Sequence, residues 1–172
     1  KPFVAGRASD SICHGALLVG AIAAIVAIYV VILRVNSGTF VFTIDDPYIH
    51  LALAERIRLG FYGINLGEIA SPSSSIIYPF LLVPFTFSLI SPIFYCGIGL
   101  CVSVSVCFTL LRAAGLPPAM AAATTVLTTL SLNWLGLVFT GLEHSLHVAA
   151  SLVVVLGLFR FAQDGRVRWW FV

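Results

Sequence analysis

The sequence alternates long uncharged apolar stretches with short polar connections. The first apolar stretch, about 15–33, is close to the roughly 20 residues that an α-helix needs to cross a bilayer. Later uncharged stretches predict three more spans, at about 93–111, 118–139 and 145–160. We therefore predict an all-α fold, a polytopic transmembrane helical bundle that forms a single membrane domain.

The apolar segment 76–90 differs from the others because Pro79 and Pro84 interrupt it. Proline breaks a helix, and a broken backbone is tolerated at membrane depth only where protein or a water-filled cavity surrounds it. Two threadings follow from this. The segment either crosses the membrane completely, or dips in and returns to its starting side as a broken or re-entrant segment.

The basic residues favour the second threading, since Lys and Arg near the spans gather on the cytoplasmic side. A complete crossing would put the three C-terminal arginines outside. A returning segment brings Asp45, Asp46 and Glu143 together on the outer side and leaves most basic residues in the cytoplasm. These basic residues are Lys1, Arg7, Arg112, Arg160, Arg166 and Arg168.

The predicted outer loop, residues 34–75, carries four of the seven acids of the chain. Asp46 followed by Pro47 is typical of a helix start, with Asp as the N-cap and Pro at the first helical position. Gly60 is typical of a helix end. Apolar residues recur at four-residue spacing in between, at Ile49, Leu53 and Ile57. This first extracytoplasmic loop is therefore predicted to contain a short amphipathic interfacial helix over 47–59.

Composition agrees with a membrane protein. Hydrophobic residues make up 60% of the chain and charged residues 9%, against roughly 25% charged in a soluble domain. No basic cluster points to nucleic acid. The four cysteines form no CxxC pair and are predicted to be buried small side chains, not a disulfide framework or a zinc site. Because the chain starts with Lys and ends near Trp169-Trp170, a pair typical of a span start, we expect the N-terminal part of a longer protein.

Asp45 and Asp46 are the strongest candidates for catalysis. Two adjacent carboxylates repel each other unless a cation or hydrogen bonds relieve the repulsion. Such a pair can serve as a general base, as ligands of a divalent cation such as Mg or Mn, or as both. The structural alternative is that Asp46 is only a helix N-cap and Asp45 a solvated side chain.

Two acid–histidine pairs at four-residue spacing extend the candidate site. Asp46/His50 and Glu143/His147 would each share one helix face, and both flank the outer compartment in the second threading. The functional interpretation is a metal site at Asp46 and His50 or a proton relay, and the structural one is interfacial hydrogen bonding. Glu143 is a candidate for substrate binding because an ionisable residue at a span end is costly and functional by default.

Arg56 and Arg58 are candidates for binding a phosphate group at the membrane surface. They are equally well explained as helix-surface arginines whose stems cover apolar surface. The sequence contains no Walker loop, dinucleotide fingerprint or nucleophile elbow.

Two stretches of the sequence resemble a known family. The first is 44–49, Ile-Asp-Asp-Pro-Tyr-Ile, followed by Ala54-Glu55-Arg56 and a Gly- and Ser-rich continuation over 60–74. It resembles the first outer loop of GT-C membrane glycosyltransferases. The second, Thr140-Gly141-Leu142-Glu143, resembles a Gly-Leu/Met-Glu element found later in many of these proteins. The resemblance covers about 12–160 and is greatest to a bacterial subgroup that includes mycobacterial arabinofuranosyltransferases and mannosyltransferase-like membrane proteins.

The resemblance implies a specific reaction. Such enzymes take a sugar from a polyprenyl-phosphate carrier and transfer it to a lipid, protein or polysaccharide on the periplasmic or lumenal side. An acid of the first outer loop is the general base, a role that falls on Asp45 or Asp46, and basic residues usually hold the donor phosphate. Members generally have more spans than this chain supplies, so a C-terminal region or a partner chain is implied as well.

Three hypotheses follow. The first is a membrane glycosyltransferase or its N-terminal portion, which acts in the cell envelope from the bacterial inner membrane, with the bilayer and a lipid-linked sugar donor as partners. The second is a transporter or channel fragment, which the broken segment 76–90 and Glu143 suggest. The third is a non-catalytic membrane assembly subunit.

Overall fold

Helices account for all the regular structure in the part of the chain that the computed structural model describes. The described residues are 3–65, 67, 69–70, 72–86 and 88–166. The predictions made for Lys1, Arg168 and the Trp169-Trp170 pair lie outside them, as does the side chain of Arg7. In chain order the elements are α1 (Phe3–Val35), α2 (Asp46–Arg58), α3 (Ile77–Leu82), a 3-10 turn (Val83–Phe85), α4 (Ser91–Ala113), α5 (Pro118–Ser131), α6 (Trp134–Thr140) and α7 (His144–Asp164).

Three of these helices are long and apolar enough to cross a membrane: 28 residues of α1 from Ala8 to Val35, the 23 residues of α4 and the 21 residues of α7. The pair α5 and α6 supplies a fourth if it is counted as one bent span. The predicted all-α membrane fold is confirmed at this level. The helices α4 and α7 extend a few residues beyond the predicted limits of 93–111 and 145–160, whereas α1 begins at Phe3, well before the predicted limits of 15–33.

The predicted span 118–139 is not one straight helix. It divides into α5 and α6, whose axes differ by 46°. Between them Asn133 adopts the left-handed conformation, with φ of 51°, which asparagine tolerates better than most non-glycine residues. The hydropathy of the stretch does not reveal this bend because Leu132 and Trp134 keep the sequence apolar on either side of Asn133.

The helices α1 and α4 run antiparallel. Near the start of α1, Asp10 accepts two hydrogen bonds from Arg112 near the end of α4, at 2.6 Å and 3.1 Å. One turn further along α1, the ring of His14 stacks on Phe108, one turn earlier in α4. We call this the Arg112 end of the bundle.

The helix α7 runs parallel to α4. Gly99 of α4 lies against the backbone of Ser145 at the start of α7, and the Gln163 side chain near the end of α7 donates to the carbonyl oxygen of Ala113 at 3.4 Å. Consequently α1 ends, and α4 and α7 begin, at the same end of the bundle. We call this the α2 end, because the segment between α1 and α4 contains α2.

The helix α2 begins at Asp46, one residue earlier than predicted, and ends at Arg58. The prediction that Asp46 is the N-cap is wrong: Asp45 has that position, and its side chain makes no capping hydrogen bond. The backbone turns at Asp45, whose carbonyl oxygen accepts from the amides of Tyr48 and Ile49 at 2.9 Å and 3.2 Å. Pro47 fits inside the first turn because its missing N–H would have no helical partner there.

The proline-containing segment 76–90 forms α3 and the 3-10 turn, and both pack against α2. A small buried cluster joins them, with Leu51 and Ala54 from α2 and Tyr78 and Leu82 from α3. A larger core lies within the bundle and is formed by Phe40, Phe42, Ile93, Cys96, Leu100, Val104, Cys107, Trp134 and Val138. The short α3 therefore serves as the platform on which α2 rests at the α2 end.

Candidate functional site

Asp45 and Asp46 lie at the exposed N-terminal end of α2. Their carboxylates are open to solvent, and the first-turn amides of α2 favour negative charge at this position. The two acids are therefore accessible to a substrate at the α2 end of the bundle.

His50 is located one helical turn after Asp46 and points inward, with a relative exposure of 1%. Its ring contacts three side chains from other segments. The Nδ1 atom lies 2.9 Å from the Ser73 hydroxyl, the Nε2 atom lies 3.7 Å from Oε2 of Glu143, and the ring packs edge-on against Tyr78. Both ring nitrogens of His50 thus face polar partners.

Glu143 is buried, with a relative exposure of 6%, and it immediately precedes α7. Its Oε2 atom has no hydrogen-bond partner. Gly141 ends α6 in the left-handed conformation, with φ of 70°, and the Phe42 ring fills the space where a side chain would lie. This turn, which only glycine accommodates here, directs Glu143 into the interior toward His50.

Two further side chains hold the same turn in place. The Tyr78 hydroxyl donates to the carbonyl oxygen of Gly141 at 3.0 Å, and the Cys96 thiol donates to that of Leu142 at 2.9 Å. The backbone that carries Glu143 is therefore anchored by α3 and by α4. Cys96 and Cys107 are buried, as predicted, whereas Cys13 and Cys101 are only partly buried, and Cys96 has this additional hydrogen-bonding role.

Burial dominates the electrostatics of this cluster. It lowers the pKa of His50 below its ordinary value of 6.5, and the negative charges of Glu143 and Asp46 oppose that shift. Burial also raises the pKa of Tyr78, with smaller contributions from Cys96 and Glu143. Both directions follow from the cost of a charged form in a low-dielectric interior.

The acid–histidine pairs predicted from four-residue spacing differ from the contact that the structure contains. Asp46 and His50 do lie one turn apart on α2, yet one is exposed and the other buried. In the Glu143/His147 pair, the hydrogen bond joins backbone atoms, from the His147 amide to the Glu143 carbonyl at 3.0 Å. The acid and histidine whose side chains approach each other are Glu143 and His50, one from each predicted pair.

The two arginines lie far from the acid pair. Arg58 ends α2, and by the helical rise it is about 18 Å along the axis from Asp46. Arg56 donates through Nε to the carbonyl oxygen of Ile64 at 3.2 Å, which ties the loop after α2 to the helix. Neither guanidinium is positioned beside Asp45 or Asp46.

No group of three or more His, Cys, Asp or Glu side chains among the described residues is arranged to hold a metal ion. The divalent cation at Asp46 and His50 therefore stays a prediction. Sequence reasoning missed Ser73, Tyr78 and Cys96 as members of the buried cluster. Ser73 was part of a Ser-rich stretch, but nothing in the sequence separates Tyr78 or Cys96 from other apolar positions.

Comparison with known proteins gave no match: no protein-family model, curated protein or solved structure corresponds significantly to this chain.

Proposed function

We propose that this chain is a GT-C-type membrane glycosyltransferase, or part of one, which transfers a sugar from a polyprenyl-phosphate donor to an acceptor on the extracytoplasmic side. One observation carries the proposal. The two stretches that resemble the family, 44–49 and 140–143, are far apart in sequence, yet His50, which directly follows the first stretch, lies with its side chain 3.7 Å from that of Glu143 in the second. Packing that unites two motifs is expected if both serve one site.

The proposed chemistry uses the exposed acids of α2. A carboxylate of Asp45 or Asp46 accepts the proton of an acceptor hydroxyl, and the resulting oxygen nucleophile attacks the anomeric carbon of the donor sugar. The bond from that carbon to the phosphate oxygen breaks, and the polyprenyl phosphate leaves with the bonding electrons. A positioned general base contributes about 10²- to 10⁴-fold to such a step.

The donor phosphate is anionic, so two bare carboxylates would repel it. The arginines of α2 are poorly suited to relieve this repulsion, because Arg58 lies about 18 Å from Asp46 along the helix. A divalent cation, Mg or Mn, bound by the acid pair would neutralise both partners. Arg34, in the last turn of α1 at the same end of the bundle, is the alternative source of positive charge.

The proposed placement has the α2 end on the extracytoplasmic side and α2 along the membrane surface. One observation supports it: the Arg112 end carries Arg112, Arg160 and Arg166, as the positive-inside rule requires of the cytoplasmic side. The α2 end also has three arginines, Arg34, Arg56 and Arg58, but there they are accompanied by four acids, Asp45, Asp46, Glu55 and Glu143. The head groups of lipid carriers lie at the membrane surface, where Asp45 and Asp46 would then meet the sugar phosphate.

The decisive experiment replaces each acid in the full-length protein and measures transfer from a polyprenyl-phosphate sugar. We expect Asp45→Asn or Asp46→Asn to reduce kcat by about 10²-fold or more, as loss of a general base does. Glu55→Gln, an exposed acid on the same helix, is the matched control. Full activity in both aspartate variants would eliminate the assignment of the base.

A transporter is the second candidate, because the bend between α5 and α6 resembles the discontinuous helices of transporters and reaches 46°. Transporters bind their substrates near mid-depth, however, whereas Asp45, Asp46 and Glu143 lie at one end of the bundle. Solute flux in proteoliposomes that persists in Asp45→Asn and Asp46→Asn would favour the transporter.

A further inference from the structure

The helix α3 has two faces of opposite exposure. Tyr78 and Leu82 are buried against α2, with relative exposures of 1% and 0%, whereas Ile77 and Phe80 on the other face are exposed to 71% and 50%. No charged residue occurs over 69–111. The exposed apolar surface continues along segment 76–90, at Ile76, Leu81, Phe85, Leu89 and Ile90. An uncharged surface of this extent marks a contact with something other than water.

The contact between α3 and α4 gives the depth of α3 in the membrane. The Tyr78 hydroxyl lies 3.7 Å from Sγ of Cys96, and Cys96 precedes Arg112 by about 24 Å along the axis of α4. Arg112 is the first charged residue after the apolar run of this span. With Arg112 at one edge of a hydrocarbon core about 30 Å thick, Cys96 lies about 6 Å inside the opposite edge. A tilt of α4 would place Cys96 deeper.

The helix α1 provides a second measure of the same depth. Gly97, the residue after Cys96, faces Ile25 of α1, whose Cδ1 atom is 3.5 Å from where a Cβ on the glycine would lie. Arg34, the first charged residue beyond the apolar run of α1, follows Ile25 by about 14 Å along that helix. Both spans therefore place the Tyr78 hydroxyl within the hydrocarbon, roughly 6–14 Å from its edge at the α2 end.

The 3-10 turn that follows α3 stays near the same edge. The centre of the Phe85 ring lies 6.0 Å from that of Phe94 and 6.1 Å from that of Tyr95, and both partners belong to the first turns of α4, which begins at Ser91. Phe94 is itself exposed to 54% on a helix that can cross the membrane. The exposed surface of α3 and the turn is therefore continuous with the lipid-facing surface of α4.

The backbone between the 3-10 turn and α4 is suited to this depth, since polar backbone groups in hydrocarbon must be paired within the protein. The Ser88 amide donates to the carbonyl oxygen of Phe85 at 3.2 Å, and the Ser91 amide donates to that of Ser88 at 3.1 Å. The Ile90 amide donates to the Ser88 hydroxyl at 3.2 Å. The two prolines of segment 76–90 have no amide that needs a partner. A turn in water would not need this pairing.

We propose that 76–90 is a re-entrant segment immersed in the leaflet at the α2 end, where the face formed by Ile77 and Phe80 contacts lipid acyl chains. This placement selects the second of the two threadings, in which the segment returns to the side from which it entered. The helix α2 rests on α3 through Leu51 and Ala54, and packed helices are about 8–10 Å apart. An immersed α3 therefore holds α2 close to the head groups. Contact with lipid does not depend on the proposed function.

Spin labels on single cysteines measure this depth. The sample is full-length protein in phosphatidylcholine vesicles, with the four native cysteines replaced by serine and a label at Ile77→Cys or Phe80→Cys. Collisions of the label with oxygen, which concentrates in hydrocarbon, and with a water-soluble nickel chelate are counted, and the ratio of oxygen to nickel collisions rises with depth. Labels at the exposed positions Phe94, Ile98 and Val102 of α4, each about 6 Å from the next, calibrate this ratio. Ser74→Cys, before α3, is the control for a water-exposed position.

We expect Ile77→Cys and Phe80→Cys to give high oxygen and low nickel accessibility, with a ratio above that of Ser74→Cys and below that of Val102→Cys near mid-depth. Nickel accessibility equal to that of Ser74→Cys would overturn the proposal, because the face would then lie in water. Low accessibility to both reagents would overturn it as well, because protein would then cover the face.

A label in the middle of the segment separates the two threadings. We expect Phe85→Cys to have the depth of Phe94→Cys, because the two rings are in contact. A complete crossing would place the middle of the segment as deep as Val102→Cys, and that result would overturn the re-entrant arrangement. Loss of transferase activity in the parent would refute the proposed function alone, since the collision ratios are independent of activity.

Discussion

The Tyr78 hydroxyl donates a 3.0 Å hydrogen bond to the carbonyl oxygen of Gly141, which is 63 residues further along the chain. The same ring packs edge-on against His50. Tyr78 therefore touches both halves of the His50–Glu143 connection: the histidine directly, and the glutamate through the turn that precedes it. This single contact makes α3 part of the candidate site and not only a connection between α2 and α4.

Tyr78→Phe tests that contact. The substitution keeps the ring but leaves the buried carbonyl of Gly141 without its donor, which costs about 1–3 kcal/mol of stability. We expect a lower free energy of unfolding in detergent and a modest loss of transferase activity. Tyr29→Phe, in which the altered ring stacks on Phe40 within α1 and the core, is the control. Equal stability of the two variants would contradict the role given to the Tyr78 hydroxyl.

Gly99 tests the close packing of α4 on α7. A Cβ at this position would lie 2.7 Å from the carbonyl carbon and oxygen of Ser145, so the two helices would have to separate. Small residues allow such close approach between membrane helices, and overpacking costs about 1–3 kcal/mol. We expect Gly99→Ala to lower the unfolding midpoint clearly, while Gly20→Ala, which has open space around its Cβ, leaves it unchanged. Similar midpoints for the two variants would mean that the helices are not this close.

Cysteine labelling tests the two ends of the bundle. Ser74 lies in the segment between α2 and α3, and Ala114 follows α4 directly; both are exposed. In a background with the four native cysteines replaced by serine, we expect a membrane-impermeant reagent added outside to label Ser74→Cys but not Ala114→Cys. Labelling of both positions from one side would contradict the placement of the α2 end and the Arg112 end on opposite sides of the membrane.

The buried His50 predicts how stability depends on pH. Burial lowers its pKa below 6.5, against the opposing charges of Glu143 and Asp46, while Tyr78 and Ser73 face the ring as neutral groups. The unfolded chain therefore binds a proton at His50 before the folded chain does, so this contribution to stability is present above about pH 6.5 and is lost as the pH falls. The slope from one proton is at most about 1.4 kcal/mol per pH unit.

The measurement is the free energy of unfolding between pH 5 and pH 8 in the parent and in His50→Gln. We expect the acid-side decrease to be smaller in His50→Gln and unchanged in His144→Gln, since His144 is exposed. If His50→Gln keeps the full slope, another group is responsible for it.

Local hydropathy is enough to predict the spans, because a bilayer selects for the apolar character of every residue within a segment of about 20. The helix break near Pro79 and Pro84 is also predictable from the local sequence, because a proline lacks the backbone N–H that a helix needs and interrupts the helix at its own position. The bend at Asn133 depends on a left-handed residue that asparagine permits but does not require. The approach of His50 to Glu143 depends on how α2 rests on α3 and on the turn at Gly141, and no local pattern contains that information.

The candidate acids were found from the sequence because adjacent carboxylates beside an apolar span are conspicuous. The buried residues near these acids could not be identified from the sequence. Tyr78 and Cys96 occupy positions in apolar stretches, and only their hydrogen bonds in the structure distinguish them from other apolar residues. Four-residue spacing suggested His147 as the partner of Glu143, but the Glu143 side chain turns toward α2 instead. Spacing along one helix could not foresee a partner from another element.

The length of α1 has a consequence for the surrounding lipid. The stretch Ala8–Val35 has 28 residues and is therefore about 42 Å long, whereas the hydrocarbon core of a bilayer is about 30 Å thick. The spans α4 and α7, with 23 and 21 residues, come to about 35 Å and 32 Å and fit that thickness far better. Only the apolar run of α1, about 15–33, has to lie in hydrocarbon, and at about 28 Å it matches the core. The remaining turns, with Asp10 towards one end and Arg34 at the other, therefore extend into the head-group layers, so the lipids around α1 meet charged side chains at head-group depth on both sides of the membrane.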